Sequence, residues 1–484
     1  MAYYDQFDLR RTHILERSLM VYTIRQLEPE SKIGQEVSLE MIHQIIPRDL
    51  ILQALQQEHS LEERERRLPQ LAVVCVLMAR ILYPRDGFGK ILRTLWDELR
   101  YLYPDPCDEQ LKAPTASAFS YRREHLRPKA LQWLFRTVCQ PRATHETEGA
   151  FAFGRRLMAL DSTLKSVADT RENAKVFGRC SGGKGTSAFP QVRLSLLAEC
   201  GTHLVVDAVF APSRPSEQHG ARRLLRSLRP GMLVLWDCGY HGYPLLWDFK
   251  QTGADLLAAL PSEDRPEVVV CLADGTQLVR VCKRKGSRKD PPVLMRLIEY
   301  TFTDPALPGY EQPRRLLTTL LDPQEAPAEA LITLYHERWE VERIVAELER
   351  LYPFLQARIR SETPFGVIQE LYGLLLGHYA VRALMLQAAE QAHLDVDRLS
   401  YDHAIHTLSL ALPRFQCAQP CCKLRLLAWL LQDLLTVQVA ERGVRTYPRV
   451  VKRRSSPFDT KKPAHAHPPQ PDKHKTLCEM VRLI

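Results

Sequence analysis

The chain has 484 residues, 45% of them hydrophobic and 25% charged, with a formal net charge of +9. That length calls for two or three domains, and that composition excludes fibrous and wholly disordered classes. No apolar run approaches the roughly 20 residues of a membrane helix. The richest, Leu371 to Leu376, is broken by Gly373 and Gly377 and followed by His378 and Arg382. No secretory pattern follows Met1, so a cytoplasmic location is expected. The 12 cysteines are scattered, and only Cys417, Cys421 and Cys422 cluster, without a second pair at zinc-finger spacing; reduced, mostly buried thiols are expected. From Arg445 onward ten Lys/Arg face three Asp/Glu, which leaves 56 basic and 54 acidic residues in the rest of the chain. A polyanionic partner must therefore be met by local patches rather than by overall charge.

Residues 1–150 read as helical. Ser38 stands at an N-cap position before Met41, Ile42, Ile45 and Ile46, and Leu71, Val74, Cys75, Met78 and Leu82 mark a second buried face. Basic clusters at Arg64, Arg66, Arg67 and at Arg122, Arg123, Arg127, Lys129 suit either a DNA-binding module or a helical cap with solvated charges. From 151 to 261 strands dominate: Leu157–Leu160 ending in Asp161, Gln191–Ala198, His203–Phe210, a helix from Glu217 to Leu228, Met232–Trp236 ending in Asp237, a helix from Tyr243 to Thr252, and Asp255–Leu260. Neighbouring strands followed by strand–helix alternation describe a mixed α/β sheet.

Residues 262–328 read as an all-β insertion, with strands near Val268, Gln277 and Leu316. Its loop Lys283, Arg284, Lys285, Arg288, Lys289 suits either a DNA backbone or a solvated hairpin tip. A helix over 329–360 carries Leu334, Val341, Ile344, Val345 and Leu348 on one stripe and Tyr335, Arg338 and Glu342 on another. Helices continue over 361–446. The stretch 447–484 is rich in Pro, Lys and His and is expected to be disordered.

Asp161 and Asp237 each follow an apolar strand, where α/β sheets gather their active sites. With a third carboxylate, Glu342, they suit two Mg²⁺ ions and phosphoryl transfer; the Arg338 guanidinium suits phosphate oxygens and the Tyr335 ring a sugar or base. Weaker signals are Gly182-Gly183-Lys184-Gly185-Thr186, which lacks phosphate-loop spacing and reads better as a basic loop with Lys175 and Arg179, and His203, Asp207 and His241 as metal ligands.

On these residues the chain resembles the DDE transposases of the insertion-sequence-four family. The likeness spans most of the sequence. Arg66-Arg67-Leu68-Pro69 resembles that family's N-terminal domain, Leu160-Asp161-Ser162-Thr163 its first catalytic aspartate, and Trp236-Asp237-Cys238-Gly239-Tyr240 its second. Tyr335, Arg338 and Glu342 match three of four positions of its tyrosine-arginine-glutamate-lysine signature. The fourth, at 349, is Glu349, with Arg350 beside it and about 100° around a regular helix. The resemblance implies a ribonuclease-H-like catalytic core with an all-β insertion. It implies Mg²⁺ (Mn²⁺ as substitute) held by Asp161, Asp237 and Glu342, and DNA contacts from Tyr335, Arg338, Arg350 and the Lys283–Lys289 loop. It also implies a homodimer on double-stranded element ends and target DNA, in a bacterial cytoplasm at the nucleoid. The insertion lacks the tryptophan that some relatives stack on a flipped base, leaving Tyr300, Phe302 or Tyr310 for that role. Rival readings are a DNA-binding descendant impaired in catalysis and a stand-alone nuclease of the same core.

Overall fold

Helices fill the N-terminal part, as their apolar spacing predicts: α1 (Ile33–Glu36), α2 (Glu40–His43), α3 (Arg48–Gln57), α4 (Gln70–Ala79), α5 (Phe88–Arg100), α6 (Ala116–Glu124) and α7 (Pro128–Val138). The computed structural model describes residues 24–182, 185–214, 217–283, 291–305, 307, 310–336, 339–350, 359–440 and 475–483. Prolines set several boundaries: Pro47 and Pro69 precede α3 and α4, and Pro128 opens α7, where a missing N–H breaks no helical bond. Ser38 is not the expected cap. Helix α2 begins after Leu39, whose N–H is taken by the His43 ring at 3.1 Å, while the Ser38 hydroxyl donates to Glu40 at 3.3 Å.

The strands and their helices follow: β1 (Phe151–Ala152), β2 (Arg155–Ser166), α8 (Arg171–Phe177), β3 (Ser181–Gly182), β4 (Gly185–Thr186), β5 (Gln191–Glu199), β6 (Leu204–Pro212), α9 (Glu217–Leu224), β7 (Met232–Trp236), α10 (Tyr243–Lys250) and β8 (Asp255–Ala259). Then come β9 (Glu267–Cys271), β10 (Gln277–Val281), β11 (Val293–Phe302), β12 (Arg314–Thr318), helices α11 (Ala328–His336), α12 (Trp339–Arg350), α13 (Pro364–Ala392), α14 (Tyr401–Cys417), α15 (Pro420–Leu434), and β13 (Val481–Leu483). One sheet runs in the order β6-β5-β2-β7-β8-β12-β11-β10-β9, with β1 beside β2 and β13 beside β11. Strands β6, β5 and β2 are antiparallel, β7 and β8 continue in parallel with β2, and β12 returns antiparallel to β8.

Two sequence expectations change here. The strands of 262–328 exist, yet they extend the central sheet instead of forming a separate all-β unit. The edge of β8 would otherwise present unpaired backbone groups, and Leu316↔Ala259, Leu317↔Ala258 and Thr318↔Leu257 pair along it. Strand β11 was hidden because a fully buried arginine interrupts its apolar run. Arg296 is neutralised by Asp274 at 2.6 Å and also donates to Thr276 Oγ1 at 2.9 Å and the Ala326 carbonyl at 2.6 Å. At the C-terminus, 447–474 lie outside the described residues. The last stretch folds: Leu477 and Met480 are buried and β13 pairs with β11 through Tyr300↔Leu483 and Phe302↔Val481.

The sheet separates two apolar cores. Met158, Leu160, Val234 and Trp236 face α9 and α10. Leu157, Ala159, Leu233 and Leu235 face the other side, where the N-terminal helices, α12, α13 and the later helices share one core with them. Helix α13 is the spine of that side, buried along most of its 29 residues. It touches α4 backbone to backbone: a Cβ at Gly373 would stand 2.8 Å from the Leu77 carbonyl oxygen, and one at Gly377 2.6 Å from that of Met78. All 12 cysteines are free thiols, but only Cys75, Cys139 and Cys200 are buried. The others fall in turns, on exposed strand faces and near helix ends, so mostly buried thiols is not what the fold contains.

Candidate active site

Strands β2 and β7 pair in parallel from Arg156↔Met232 to Ala159↔Leu235, a constant offset of 76. Extending that register by two residues sets Asp161 level with Asp237, since 237 − 161 is also 76. Level residues of parallel neighbours point to one face, with strands about 4.8 Å apart. Leu157, Ala159, Leu233 and Leu235 precede the two aspartates in phase, so both carboxylates continue the face packed by α12. Asp161 does not end its strand: β5 stays paired with β2 as far as Ser166↔Gln191. What ends there is the pairing with β7. Asp237 does follow the last residue of its strand, and its Oδ1 accepts the Gly239 N–H at 2.9 Å, fixing the turn Cys238–Tyr240. The Asp161 Oδ1 accepts the Ser162 N–H at 2.7 Å.

The third element arrives from α11 and α12. Tyr335, near the end of α11, donates its hydroxyl to the Trp236 carbonyl at 3.3 Å, one residue before Asp237. Helix α12 packs on β2 and buries Ile344 and Leu348 in the shared core, with Glu342 half-buried on its flank. Tyr335 lies on α11 and Glu342 on α12, and Arg338, between them, lies outside the described residues, as do the side chains of Glu349 and Arg350. Among the described residues no group of three His, Cys, Asp or Glu is drawn together closely enough to hold a metal ion. The strand pair brings two carboxylates level, and α12 carries the third.

Helix α12 is anchored by a buried charge network. Glu347 accepts from His378 Nε2 at 3.1 Å and from Arg382 Nε at 3.1 Å, both on α13, while Arg343 pairs with Asp397. His203, in the β5–β6 turn, places Nε2 3.0 Å from Asp397 Oδ1 and Nδ1 3.9 Å from Glu347 Oε1. Burial pushes the Glu347 carboxyl up, but Arg382 and the two histidines more than offset it and hold it well below the usual carboxylate range. Asp397 is depressed likewise, its burial outweighed by His203 and then Arg343. For His203, burial and Arg382 lower the ring, yet the carboxylates of Asp397 and Glu347 leave it above its ordinary value.

Beyond the predicted residues, Arg193 on β5 donates to Glu217 at 3.0 Å and to the Ser162 hydroxyl at 3.3 Å. Glu217 opens α9, and its Oε2 would lie 2.8 Å from a Cβ at Gly239, so a side chain there would collide with it. Burial first, then the charges of Asp161, Glu217 and Asp237, push the Tyr240 phenol far up, with Ser162 acting the other way. Glu217 thus belongs to the surroundings of the aspartates. Nothing in its sequence context, a first-turn Glu of a surface helix, distinguishes it.

Two family models match the chain: a transposase DDE domain over residues 152–379 and an insertion element 4 transposase N-terminal domain over 36–136. The chain belongs to the DDE transposases of the insertion element 4 family. Transposase InsG for insertion sequence element IS4 of Escherichia coli is 27% identical over 427 residues, covering 85% of this chain and 91% of that protein. Putative transposase InsZ of the same organism is 28% identical over 147 residues, 30% of this chain and 49% of that protein. Among solved structures, a piggyBac transposase synaptic complex with hairpin DNA aligns over 84% of this chain and 87% of its own, at 13% identity and a TM-score of 0.42.

This transposase departs from several finer expectations. Tyr300 and Phe302 are buried in the core and cannot stack on a displaced base; Tyr310 is 39% exposed. Lys283 is exposed, whereas Arg284, Lys285, Arg288 and Lys289 lie outside the described residues. The glycine-rich segment pairs Ser181↔Thr186 and Gly182↔Gly185 as a hairpin, so no helix follows it to make a phosphate loop. Arg179 is bound to its own loop, through the Ser187 carbonyl at 3.2 Å and Asp169 at 2.5 Å. Asp207 is a strand residue held by Arg226 at 2.7 Å and Ser227 at 2.6 Å, His203 belongs to the α12 anchor, and His241 pairs with Asp264 at 2.5 Å. Among the described residues none of the three belongs to a group of three His, Cys, Asp or Glu that could hold a metal ion. No helix among the described residues is long and apolar enough to cross a membrane.

Proposed function

We propose that this transposase cuts double-stranded DNA at the ends of its element and joins the freed 3′-hydroxyl to target DNA, with Asp161, Asp237 and Glu342 as its catalytic carboxylates. The observation that carries the reading is the shared register level of Asp161 and Asp237, on the face packed by the helix bearing Glu342. Strand order supports a ribonuclease-H-like core: three antiparallel strands joined by two parallel ones. Hard carboxylate oxygens fit Mg²⁺ or Mn²⁺, and Asp237 Oδ2 has no hydrogen-bond partner among the described residues. When bound, such ions stabilise charge on the attacking and leaving oxygens of an in-line displacement. Tyr335 supports the strand end beneath the reacting phosphate, and Arg338 takes its oxygens bidentately. Arg350 and the Lys283–Lys289 loop neutralise further backbone phosphates. In the first step water attacks phosphorus and the 3′-oxygen leaves with a proton. In the second the oxygen of that 3′-hydroxyl attacks a target phosphodiester and joins the target's 5′-phosphate, while the target's 3′-oxygen leaves with the proton, so one P–O bond forms as one breaks. One site per chain and two ends to join imply a homodimer on DNA.

The test is incubation of the purified protein and Mg²⁺ with a duplex carrying the element's terminal inverted repeats. Joined product is expected. Cuts without joining would favour the nuclease, and a gel shift alone the impaired descendant that Glu349 in the lysine position suggests.

A further inference from the structure

At the edge of the sheet, a cavity of about 250 Å³ opens between α7, β6, α9 with its following turn, and α13. Four cations line it: Lys129 and Arg136 from α7, Arg223 from α9 and Arg226 from the turn after it. No carboxylate is in the lining. Arg226 is held by Asp207 at 2.7 Å behind the wall, but Lys129, Arg136 and Arg223 have no ion pair among the described residues. All three are exposed. Inside, the Gln132 amide donates to the Tyr372 hydroxyl at 2.9 Å, giving a polar floor. Three elements thus converge like charges on one concave site, an arrangement that concentrates positive potential and favours an anion.

The cavity's place in the fold says which anion. Asp161 pairs with Leu196 and Leu196 with Ala208, and Ala208 lines the cavity. Directly paired residues share a face, so the cavity wall and Asp161 lie on one level of one face, two strands or about 10 Å apart. A duplex that presents a phosphate to the carboxylates has further backbone phosphates at that range. We propose that this cavity is a second backbone site, in which Lys129, Arg136 and Arg223 neutralise phosphates of double-stranded DNA flanking the reacting one. The inference rests on the transposase reading and adds to it a surface outside the catalytic carboxylates.

The test is anisotropy of a fluorescent 30-base-pair duplex titrated with full-length protein across a salt series in the absence of divalent ions. The triple variant Lys129→Ala, Arg136→Ala, Arg223→Ala should bind more weakly, with a log K against log salt slope shallower by about 2.7, or 0.9 per lost phosphate contact. Arg222→Ala, whose guanidinium pairs with Asp248 at 2.6 Å outside the lining, should keep the wild-type slope. An unchanged slope in the triple variant overturns the proposal, whether or not affinity falls. Calorimetric binding of inorganic phosphate that the variant loses, with its duplex slope intact, overturns it in favour of a small-anion site. Failure of the wild type itself to bind duplex would sink the transposase reading, a result distinct from either.

Discussion

Removing the Glu347 carboxylate should loosen the helix that carries Glu342. Glu347 is 6% exposed, and its two oxygens serve His378 and Arg382, which are 0% and 2% exposed. In Glu347→Ala, Arg382 keeps its charge in a buried place, with Asp397 as the remaining carboxylate acting on it among the described residues, and the His378 ring loses its acceptor. Breaking one side of a buried ion pair costs about 3–5 kcal/mol, against about 0–1 for a surface pair. Amide exchange along Trp339–Arg350 reads the local cost. Protection of Ile344 and Leu348 should fall by two to nearly four powers of ten, since about 1.4 kcal/mol is tenfold. Glu347→Gln should fall between the two, because it keeps the size and one acceptor. A loss below about 1 kcal/mol in Glu347→Ala would mean that Ile344 and Leu348 alone hold α12, and the network would have no positioning role.

The same network makes α12 stability depend on pH in two directions. Glu347 and Asp397 are depressed, so their contribution is whole above the ordinary carboxylate range and is lost as pH falls through their folded values. His203 is raised, so its contribution is whole below 6.5 and is lost as pH climbs through its folded value. Exchange protection of α12 should therefore decline on the alkaline side, and His203→Gln should flatten that limb; an unchanged limb would count against His203. Asp161→Asn and Asp237→Asn should each abolish strand cleavage while leaving duplex binding intact, and wild-type cleavage in either would remove that residue from the site. Leu477→Ala or Met480→Ala should cost about 2–5 kcal/mol in urea unfolding, because both pack in the core beneath β11; a change under 0.5 would mean the C-terminal strand is dispensable. Gly377→Val should destabilise by driving α13 off the Met78 carbonyl, and unchanged stability would contradict that backbone contact.

Where sequence reasoning succeeded, local pattern and tertiary role coincided. Met232–Trp236 is apolar throughout because both of its faces are covered, and Asp237 then has only the strand end to occupy. Each of the two aspartates stands out in the sequence because it follows such a run. What stayed hidden depends on partners far away in the chain. Arg296 reads as a surface residue until Asp274, Thr276 and Ala326 surround it, and the strand it interrupts goes unseen. Leu477 and Met480 are too few to predict a fold for the C-terminal stretch, yet β11 supplies them with a strand to join. Glu347 lies five residues after Glu342 and looks like one more solvated charge on an amphipathic helix; only the crossing of α13 turns it into the anchor. Helical periodicity identifies which residues of α12 face inward. It carries no information about whether the inward face meets leucines or an arginine, and at this helix it meets both.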